Sequence, residues 1–347
     1  PLAQAERDFE LGKFGFASVG ASAAFLQRGF GPDSQRLSAS AEWSARKIVP
    51  GGVVFEPFAN ARYDYYDVAD FPATGDSDTI TRGLGSVGGK MSMPFYRPGR
   101  TVDILVEPIV MAAASTASPN DEPLPIEDSL YFELDTSTLF NANAQAGYDL
   151  YEGDQKIAAG ISATARWKSG VALSGIVGRR WRSESDPAFD AASNLDGTVS
   201  DWLAGLSVDL NGPLSFDAQV RLDDDTLAVN RIDTALDLQT DRLRASAIYY
   251  QIDEAVSRSG RPQEGIMLYS EVSVTDNYLL LYELRREFEQ QIDIRHSFGI
   301  GYQDDCSRFE LIYERTERLN QELGPSESIL FRFALATIGE LGSRNFD

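Results

Sequence analysis

The sequence has very little of the two side chains on which many metal and catalytic sites depend. Its 347 residues include one histidine, His296, and one cysteine, Cys306. The sequence therefore has almost none of the side chains needed for a zinc site with several His and Cys ligands or for a Ser/His/Asp triad. We expect no cofactor and no enzymatic activity, although the composition leaves catalysis by carboxylates open.

Basic residues are scarce relative to acidic ones. The sequence has 31 Lys and Arg against 53 Asp and Glu, which gives a formal net charge of −22 at pH 7. Proteins that bind nucleic acids carry clustered positive charge, so we expect no nucleic-acid partner. The acidic excess does not identify another partner, because a solvated acidic surface is its commonest meaning.

Long apolar runs are lacking, and so is an N-terminal signal. No run approaches the roughly 20 apolar residues of a transmembrane helix. The start, PLAQAERDFELGKFGF, has no basic region followed by an apolar core, so it does not resemble a signal peptide. Because Pro1 is not an initiator residue, we expect the chain to be a mature or truncated piece of a longer protein.

What the sequence does have is a hydrophobic pattern with a period of two. Apolar and polar side chains alternate along residues 214–222, 292–303 and 328–338. This alternation predicts half-buried strands, and only the short stretch 316–323 has helical character. Many of the predicted strands have the nine to eleven residues that cross a bilayer when tilted. About sixteen strands are predicted, at residues 14–26, 38–46, 53–65, 82–94, 102–114, 156–167, 171–182, 198–210, 214–222, 227–238, 243–251, 264–274, 278–287, 292–303, 307–315 and 328–338.

The predicted connections alternate between short turns and mostly long loops. The short turns include KSG, NGP and DDC, and the long loops are 27–37, 66–81, 115–155, 183–197, 252–263 and 316–327. Outer-membrane β-barrels have short periplasmic turns and long extracellular loops. The sequence therefore predicts an all-β, antiparallel transmembrane outer-membrane β-barrel, with both chain ends on the periplasmic side because the strand count is even. A large soluble β-sandwich or a β-helix is the alternative.

Residues 107–153, EPIVMAAASTASPNDEPLPIEDSLYFELDTSTLFNANAQAGYDLYEG, contain several short motifs. As a set, these motifs resemble the core of the C-terminal domain of the LPS-assembly outer-membrane proteins, the LptD family. The ending GPSESILFRFALATIGELG also resembles that family's last strand. The chain departs from the family pattern at Ile126, Leu150 and Ala336. The matching motif residues are Glu107, Pro108, Ile109, Pro125, Glu127, Asp128, Ser129, Phe132 to Asp135, Thr138, Leu139, Phe140, Gly147, Tyr148, Asp149, Glu152 and Gly153.

The resemblance implies a function for the predicted barrel. Residues 1–347 would be the C-terminal part of an LptD-type barrel, whose N-terminal periplasmic jelly-roll domain and first strands lie outside this sequence. Such a barrel inserts lipopolysaccharide into the outer leaflet of a Gram-negative outer membrane, through a polar lumen and a lateral gate at the last strand. The expected partners are lipopolysaccharide, membrane lipids, an LptE-type lipoprotein plug and an LptA-type periplasmic bridge that reaches the N-terminal domain.

The resemblance also gives roles to residues near the C-terminus. In the last strand, Ile329, Phe331, Phe333 and Leu335 would face lipid and Arg332 the lumen. Cys306 lies where family members carry a cysteine that bonds to the N-terminal periplasmic domain, and its position in a short turn places it in the oxidising periplasm. A free surface thiol without a role is the alternative for Cys306.

Other readings of the sequence compete with lipopolysaccharide assembly. A barrel of sixteen strands is also the size of a diffusion porin, and a structural barrel or an adhesin is a further alternative. The acidic groups Asp223-Asp224-Asp225 and Glu127-Asp128 are interpreted as solvated loop charge, with divalent-cation binding as a hypothesis. His296 lies on an apolar strand face and is expected to be a packing residue.

Overall fold

The computed structural model describes residues 2–71, 75–120, 124–128, 133–145, 147–317, 324–335 and 339–341. Within these ranges the chain forms one sheet of 20 strands, and the only helical elements are three short 3-10 turns. The strands are β1 (Leu2–Glu10), β2 (Phe16–Leu26), β3 (Asp33–Ser44), β4 (Lys47–Ile48), β5 (Val54–Phe71), β6 (Gly75–Ser92), β7 (Phe95–Arg97), β8 (Val102–Ser115), β9 (Gln155–Trp167), β10 (Ala172–Arg182), β11 (Trp202–Asp209), β12 (Leu214–Leu222), β13 (Val229–Gln239), β14 (Leu243–Ile252), β15 (Gln263–Ser273), β16 (Tyr278–Glu287), β17 (Ile292–Gln303), β18 (Ser307–Thr316), β19 (Ser326–Leu335) and β20 (Gly339–Leu341).

The sheet is a chain of antiparallel hairpins. Each long strand pairs with the next long strand, from β1 with β2 through to β18 with β19. The short strands β4, β7 and β20 extend single hairpins at the short-turn end. Among the described residues no pairing joins β1 to β19 or β20, so these strands form the two edges of the sheet.

The predicted all-β, antiparallel fold is confirmed. Each of the sixteen predicted strands overlaps an observed strand, although residues 336–338 of the last one lie outside the described residues. The helical character predicted for 316–323 is wrong at Thr316, which ends β18, and 318–323 lie outside the described residues. Alternation was a sufficient signal for these sixteen strands because their two faces carry side chains of different polarity.

Two sequence-based expectations are wrong. Strand β1 was not predicted, and it makes the number of long strands odd, so the first described residue lies at the long-loop end of the sheet. The long loop predicted for 66–81 is mostly strand, because β5 and β6 continue as one extended hairpin in which Phe71 pairs with Gly75. Tyr66 therefore lies within a strand and is buried, whereas Tyr63 and Tyr65 are exposed on the opposite face.

The two faces of the sheet differ. We call the face that contacts loop 116–154 the inner face; it carries Arg36, Asp64, Arg180 and Arg221 among other polar residues. The opposite, outer face exposes rows of large apolar side chains. These include Val19, Leu37, Tyr63, Val87, Val110, Ile157, Ile161, Leu173, Val177, Leu206, Leu236, Phe298, Ile300, Leu311, Ile329 and Phe331.

Exposed apolar surface of this extent is unusual for a protein in water and marks a surface that meets lipid or protein. No helix in the described ranges has the length and apolar character needed to cross a membrane.

Candidate functional site

Loop 116–154 folds back onto the inner face between β8 and β9. Its apolar side chains Leu134, Leu139 and Leu150 are buried in a core that the loop shares with the sheet and with loop 183–201. Two inner-face glycines make room for it. A Cβ atom at Gly178 would lie 2.7 Å from Leu139 Cδ2, and one at Gly160 would lie 3.0 Å from the Phe140 ring. The loop is therefore packed as part of the molecule.

Two aspartates hold the two ends of the family-like motif together. Asp149 Oδ2 accepts hydrogen bonds from the backbone N–H groups of Glu127 (2.6 Å) and Asp128 (3.0 Å). Asp128 Oδ1 accepts in return from the N–H groups of Tyr148 (2.9 Å) and Asp149 (3.2 Å). We call this reciprocal arrangement the aspartate clasp; it satisfies four backbone donors that no secondary structure pairs.

Three arginines of β3, β5 and β6 attach the clasp to the inner face. Arg36 Nη1 bonds Asp128 (2.6 Å) and Asp149 (2.9 Å), and its guanidinium lies 4.2 Å from the centre of the Tyr148 ring. Arg62 donates to the Tyr148 carbonyl (2.6 Å), and Arg82 donates to the carbonyls of Tyr148 and Asp149. Planar guanidinium groups suit such multiple acceptors and also stack on aromatic rings.

Burial and charge set opposite pKa shifts in the clasp. Burial raises the pKa of Asp149, and the nearby charge of Asp128 raises it further. Burial also works against ionisation of Asp128, but the Tyr148 N–H and the Arg36 guanidinium outweigh it and lower the pKa of Asp128. Asp128 therefore keeps its charge to lower pH than Asp149 does.

A second group of contacts surrounds Glu152 at the end of the loop. Its carboxylate accepts from Arg180 Nη1 (2.8 Å), while Lys156 Nζ donates to its backbone carbonyl (2.5 Å). Arg182 Nε lies 3.8 Å from Glu152 Oε1 and completes a group of three buried cations around one carboxylate. Arg180 also donates to the carbonyl of Asn141, so the same guanidinium holds both the tip and the end of the loop.

A third group fixes the part of the loop nearest β12 and β13. Glu133 pairs with Arg221 (3.1 Å) and with Arg231. Arg221 also donates to Asp201 (2.6 Å) and to backbone carbonyls of loop 183–201, which links the two loops.

Two cavities remain beside loop 116–154. One, of about 570 Å³, is lined by Glu133, Asp217, Gln219, Arg221, Arg231 and Asp233 among other residues. The other, of about 930 Å³, lies between the inner face of β2–β6 and the loop tip; its lining includes Glu42, Glu56, Lys90, Phe58, Phe140 and Asn141. The inner face thus keeps open, mixed-charge space on both sides of the loop.

The structure brings most of the predicted motif together. Glu127, Asp128, Tyr148 and Asp149 form the clasp, the carbonyl of the adjacent Gly147 accepts from Arg62, the Glu127 carboxylate pairs with Arg28, and Pro125 is buried. Ser129 lies outside the described residues. The hypothesis that Glu127 and Asp128 bind a divalent cation is not favoured, because arginines already neutralise both carboxylates.

The last long strand places Arg332 on the face opposite to its exposed apolar residues, and the prediction that these faces meet the lumen and lipid stays a prediction. Ile329 is 74% exposed and Phe331 69% exposed on the outer face, whereas Arg332 pairs with Glu310 (3.3 Å) on the inner face. Phe333 and Leu335 share the outer face and are half-buried, and Phe333 packs against Phe309. The predicted role of this strand as a gate stays a prediction.

Cys306 is exposed and free, at the tip of the turn between β17 and β18. Asp304 accepts from the N–H groups of Cys306 (2.9 Å) and Ser307 (2.8 Å), and these bonds lower the pKa of Asp304. The turn therefore presents the thiol in a fixed position, away from loop 116–154. Its disulfide with another domain stays a prediction.

The remaining candidates have ordinary structural surroundings. His296 packs against Tyr282 and Phe298 on the outer face, as expected for a packing residue. Asp223 and Asp224 lie near Asp201, with carboxylate oxygens within 4.8 Å of one another. Arg221 and Asn230 donate to Asp201, and Arg179 lies 3.4 Å from Asp224, so each of these two acids has an arginine partner. Asp223 accepts from Asp225 and Thr226 of its own turn.

Sequence reasoning missed the basic residues that hold the loop. Each lies on an inner-face position of a strand, so alternation alone gives the face but not the partner. The missed residues are Arg36, Arg62, Arg82, Lys156, Arg180, Arg182 and Arg231, and Arg221 was recognised only as a polar-face residue.

Comparison with known proteins bears on this arrangement. A family model described as "LptD: LPS transport system D" matches residues 7–284. No curated protein matches the sequence.

Several solved structures are similar in fold. The copper transporter OprC has a TM-score of 0.46 and 11% identity, over 96% of this chain and 63% of that one. The siderophore receptor PirA from Acinetobacter baumannii has a TM-score of 0.44 and 8% identity, over 96% and 64%. A mutant Rh. blastica porin has a TM-score of 0.31 and 14% identity, over 98% and 100%. The chain thus spans 63% of the length of the copper transporter and 64% of that of the siderophore receptor.

Proposed function

Because this chain belongs to the LptD family, described as LPS transport system D, we propose that it forms part of an outer-membrane translocon for lipopolysaccharide. In this proposal the glycolipid passes along the inner face and leaves sideways into the outer leaflet. The observation that carries the proposal is the contrast between the two faces of the sheet. A molecule with acyl chains and charged sugars needs both an apolar surface and a polar path.

The outer face supports insertion in a membrane. Its large side chains are exposed in rows along the sheet, for example Leu206, Ile300 and Phe331. In water this surface would cost free energy at roughly 25 cal/mol per Å² of apolar area, whereas in lipid it costs little. We therefore place the chain in the outer membrane of a Gram-negative bacterium, with its short turns toward the periplasm.

The inner face supports a polar path. Many of its ionic groups are paired, and the cavities of about 570 and 930 Å³ beside loop 116–154 give space for sugars. Sugars bind through hydrogen bonds to polar groups such as Asp217 and Gln219, which line the smaller cavity. No nucleophile or metal is required for this transport, and the expectation that the chain is not an enzyme stays a prediction.

For the exit we propose the edge at β19. Between Ser326 and Leu335 this strand pairs with β18 along its full length, while its other edge has only the three-residue pairing with β20. Opening such a seam breaks few backbone hydrogen bonds. Ile329 and Phe331 would then meet lipid, while Arg332 stays on the polar side, held by Glu310.

The partners are part of the same proposal. A wide inner face is physically suited to an LptE-type lipoprotein plug, and an LptA-type bridge would deliver substrate from the periplasm to a further domain of the protein. Cys306 is exposed at a short turn, and a bond to that domain would fix the two parts together. Non-reducing electrophoresis of the full-length protein would show such a bond, and Cys306→Ser should remove it.

Depletion of the full-length protein in its own cells tests the function. Newly made lipopolysaccharide should stop reaching the surface and should accumulate inside the envelope. Uptake of small solutes, measured in the same cells, is the matched readout for the alternative. If surface delivery continues and only solute uptake falls, the chain is a diffusion porin and the proposal is wrong.

A further inference from the structure

We propose that eight basic side chains under loop 116–154 form a binding track for the phosphate and carboxylate groups of the transported glycolipid, and that carboxylates of the loop occupy this track at rest. The inference rests on the transport function proposed above. We call these eight side chains the basic track. Its members are Arg36, Arg62, Arg82, Lys156, Arg180, Arg182, Arg221 and Arg231.

The charges are divided unequally between strand and loop. All eight cations lie on strands, from β3 to β13, and therefore belong to the fixed part of the molecule. The loop carboxylates Asp128, Glu133, Asp149 and Glu152 pair with six of them. Arg62 and Arg82 pair with Asp64 of β5, and Asp201 and Asp233 add a second partner to Arg221 and Arg231. If the loop moved, the cations would remain in place and would lose the loop carboxylates.

The loop presents oxygen acceptors to the arginines of the track, as a phosphate group would. Arg36, Arg180 and Arg231 each bind an anionic oxygen, while Arg62 and Arg82 bind backbone carbonyl oxygens. Guanidinium groups bind carboxylates and phosphates with the same forked geometry. A sugar phosphate can therefore replace a loop carboxylate without any change in the strands.

The loop does not use all the donors of the track. Within the described residues, Arg36 Nε, Arg180 Nε and both Nε and Nη2 of Arg182 are buried without a hydrogen-bond acceptor. Around Glu152, three cations share one carboxylate. Glu152 Oε1 is also without a hydrogen-bond partner among the described residues, so the group lacks well-placed bonds as well as negative charge. A phosphate, with more acceptor oxygens and more charge than one carboxylate, would satisfy it better.

The smaller cavity gives an incoming anion a place to start. Arg231 is 32% exposed, its partner Glu133 is 19% exposed, and both line the cavity of about 570 Å³. The pairs around Asp149 and Glu152 are buried and would open later. Replacement of loop carboxylates by phosphate groups would thus begin at Glu133 and proceed toward the aspartate clasp.

Binding of a deacylated, fluorescent lipopolysaccharide fragment to the full-length protein tests the proposal. One probe keeps its phosphates and the other has them removed. The double variant Asp128→Asn, Glu133→Gln removes two competing carboxylates without changing their shapes. We expect it to bind the phosphorylated probe about two- to fivefold more tightly for each charge removed, the range of a partly exposed ion pair. The dephosphorylated probe should bind unchanged.

Asp135→Asn is the matched control. Asp135 lies on the same loop and also lines the cavity of about 570 Å³, but its carboxylate accepts only from Ser137 and Thr138 among the described residues, so Asp135→Asn measures the effect of lost loop charge without freeing a cation of the track. If the double variant binds no better than Asp135→Asn, or if both probes gain equally, the proposed replacement is wrong.

A substitution in the basic track provides a second test, which can be used if the double variant folds poorly. Arg231→Gln should weaken binding of the phosphorylated probe in a protein that retains both loop carboxylates, and unchanged binding would overturn the proposal. The transport function is tested separately by surface delivery. If the protein delivers lipopolysaccharide but its binding of the probe does not depend on phosphate, only the proposed track is wrong. If binding depends on phosphate but the protein does not deliver lipopolysaccharide, the proposed transport function is wrong.

Discussion

Asp149 shows how much of the loop's attachment depends on one carboxylate. It accepts from four donors: Arg36, the Tyr66 hydroxyl, and the N–H groups of Glu127 and Asp128. The side chain is buried, so no water can replace a lost acceptor cheaply. Asp149 Oδ1 accepts from the two donors on the strands, and Oδ2 accepts from the two donors on the loop.

Replacing Asp149 by asparagine should loosen the loop. An amide keeps one acceptor oxygen and places an NH₂ group against the other pair of donors, in addition to removing the charge beside Arg36. We expect a cost of about 3 kcal/mol, or more than a hundredfold in the population of the open loop. Protease added to outer membranes should cut within 116–154 much faster in Asp149→Asn than in Asp135→Asn. Equal cutting rates would mean that the clasp does not hold the loop.

The arginine partners of these aspartates could not be predicted from the sequence, although its motifs pointed to the right loop. Asp128 and Asp149 are 21 residues apart in one loop, while Arg36 is separated from Asp149 by 113 residues. No local pattern links an acid in a loop to a particular arginine among many on inner-face positions. What could be predicted is the face: Arg221, for example, alternates with apolar neighbours in LSFDAQVRL. The pairing depends on where the loop folds, which is a property of the whole packed structure.

Strands could be predicted where one face of the sheet carries apolar side chains and the other polar ones, because the sequence then alternates. Strand β1 was missed because LAQAERDFE has charged residues on both faces, and all nine of its residues are exposed. The end of β5 and the start of β6, within residues 66–81, were predicted to be a loop because their acidic and small residues are typical of loops. Backbone pairing from Val68 with Asp78 to Phe71 with Gly75 holds them as a hairpin instead. Pairing of this kind depends on neighbours in space and leaves no period in the sequence.

Two adjacent residues of β11 test which side meets lipid. Leu206 is exposed on the outer face, and Ser207 is exposed on the inner face, opposite Asp217. Leu206→Arg should destabilise the inserted protein by about 2–4 kcal/mol, because an arginine on the lipid face must leave water. Ser207→Arg should stay within about 0.5 kcal/mol. The folded fraction in outer membranes, measured by heat-dependent electrophoretic mobility, should fall only for Leu206→Arg. Equal losses would contradict the assignment of the faces.

Loop, track and sheet together would form, in the proposed transport, a passage that is closed at rest. Loop 116–154 is bound to strands from β3 to β13, so it spans most of the inner face described between them. Space beside it remains, but the loop would lie in the middle of the proposed polar path, so we expect a large glycolipid to displace it. Release of the loop must break its ion pairs with the strands and expose Leu134, Leu139 and Leu150, but it leaves the backbone pairing of the sheet intact.

A reversible link between loop and sheet tests whether the loop has to move. A Cβ atom at Gly205 on β11 would lie 3.4 Å from Thr136 Oγ1, the position that the sulfur of a cysteine at residue 136 would take, so the two cysteines would be near enough to bond. The double variant Thr136→Cys, Gly205→Cys should form this bond in the periplasm-facing oxidising environment and stop surface delivery of lipopolysaccharide, and a reductant should restore delivery. Each single variant is a control, and Gly205→Cys also shows whether its Cβ atom, 3.1 Å from Ile176, is tolerated. Full delivery by a completely cross-linked protein would show that the glycolipid passes beside a fixed loop, through the cavities that already flank it.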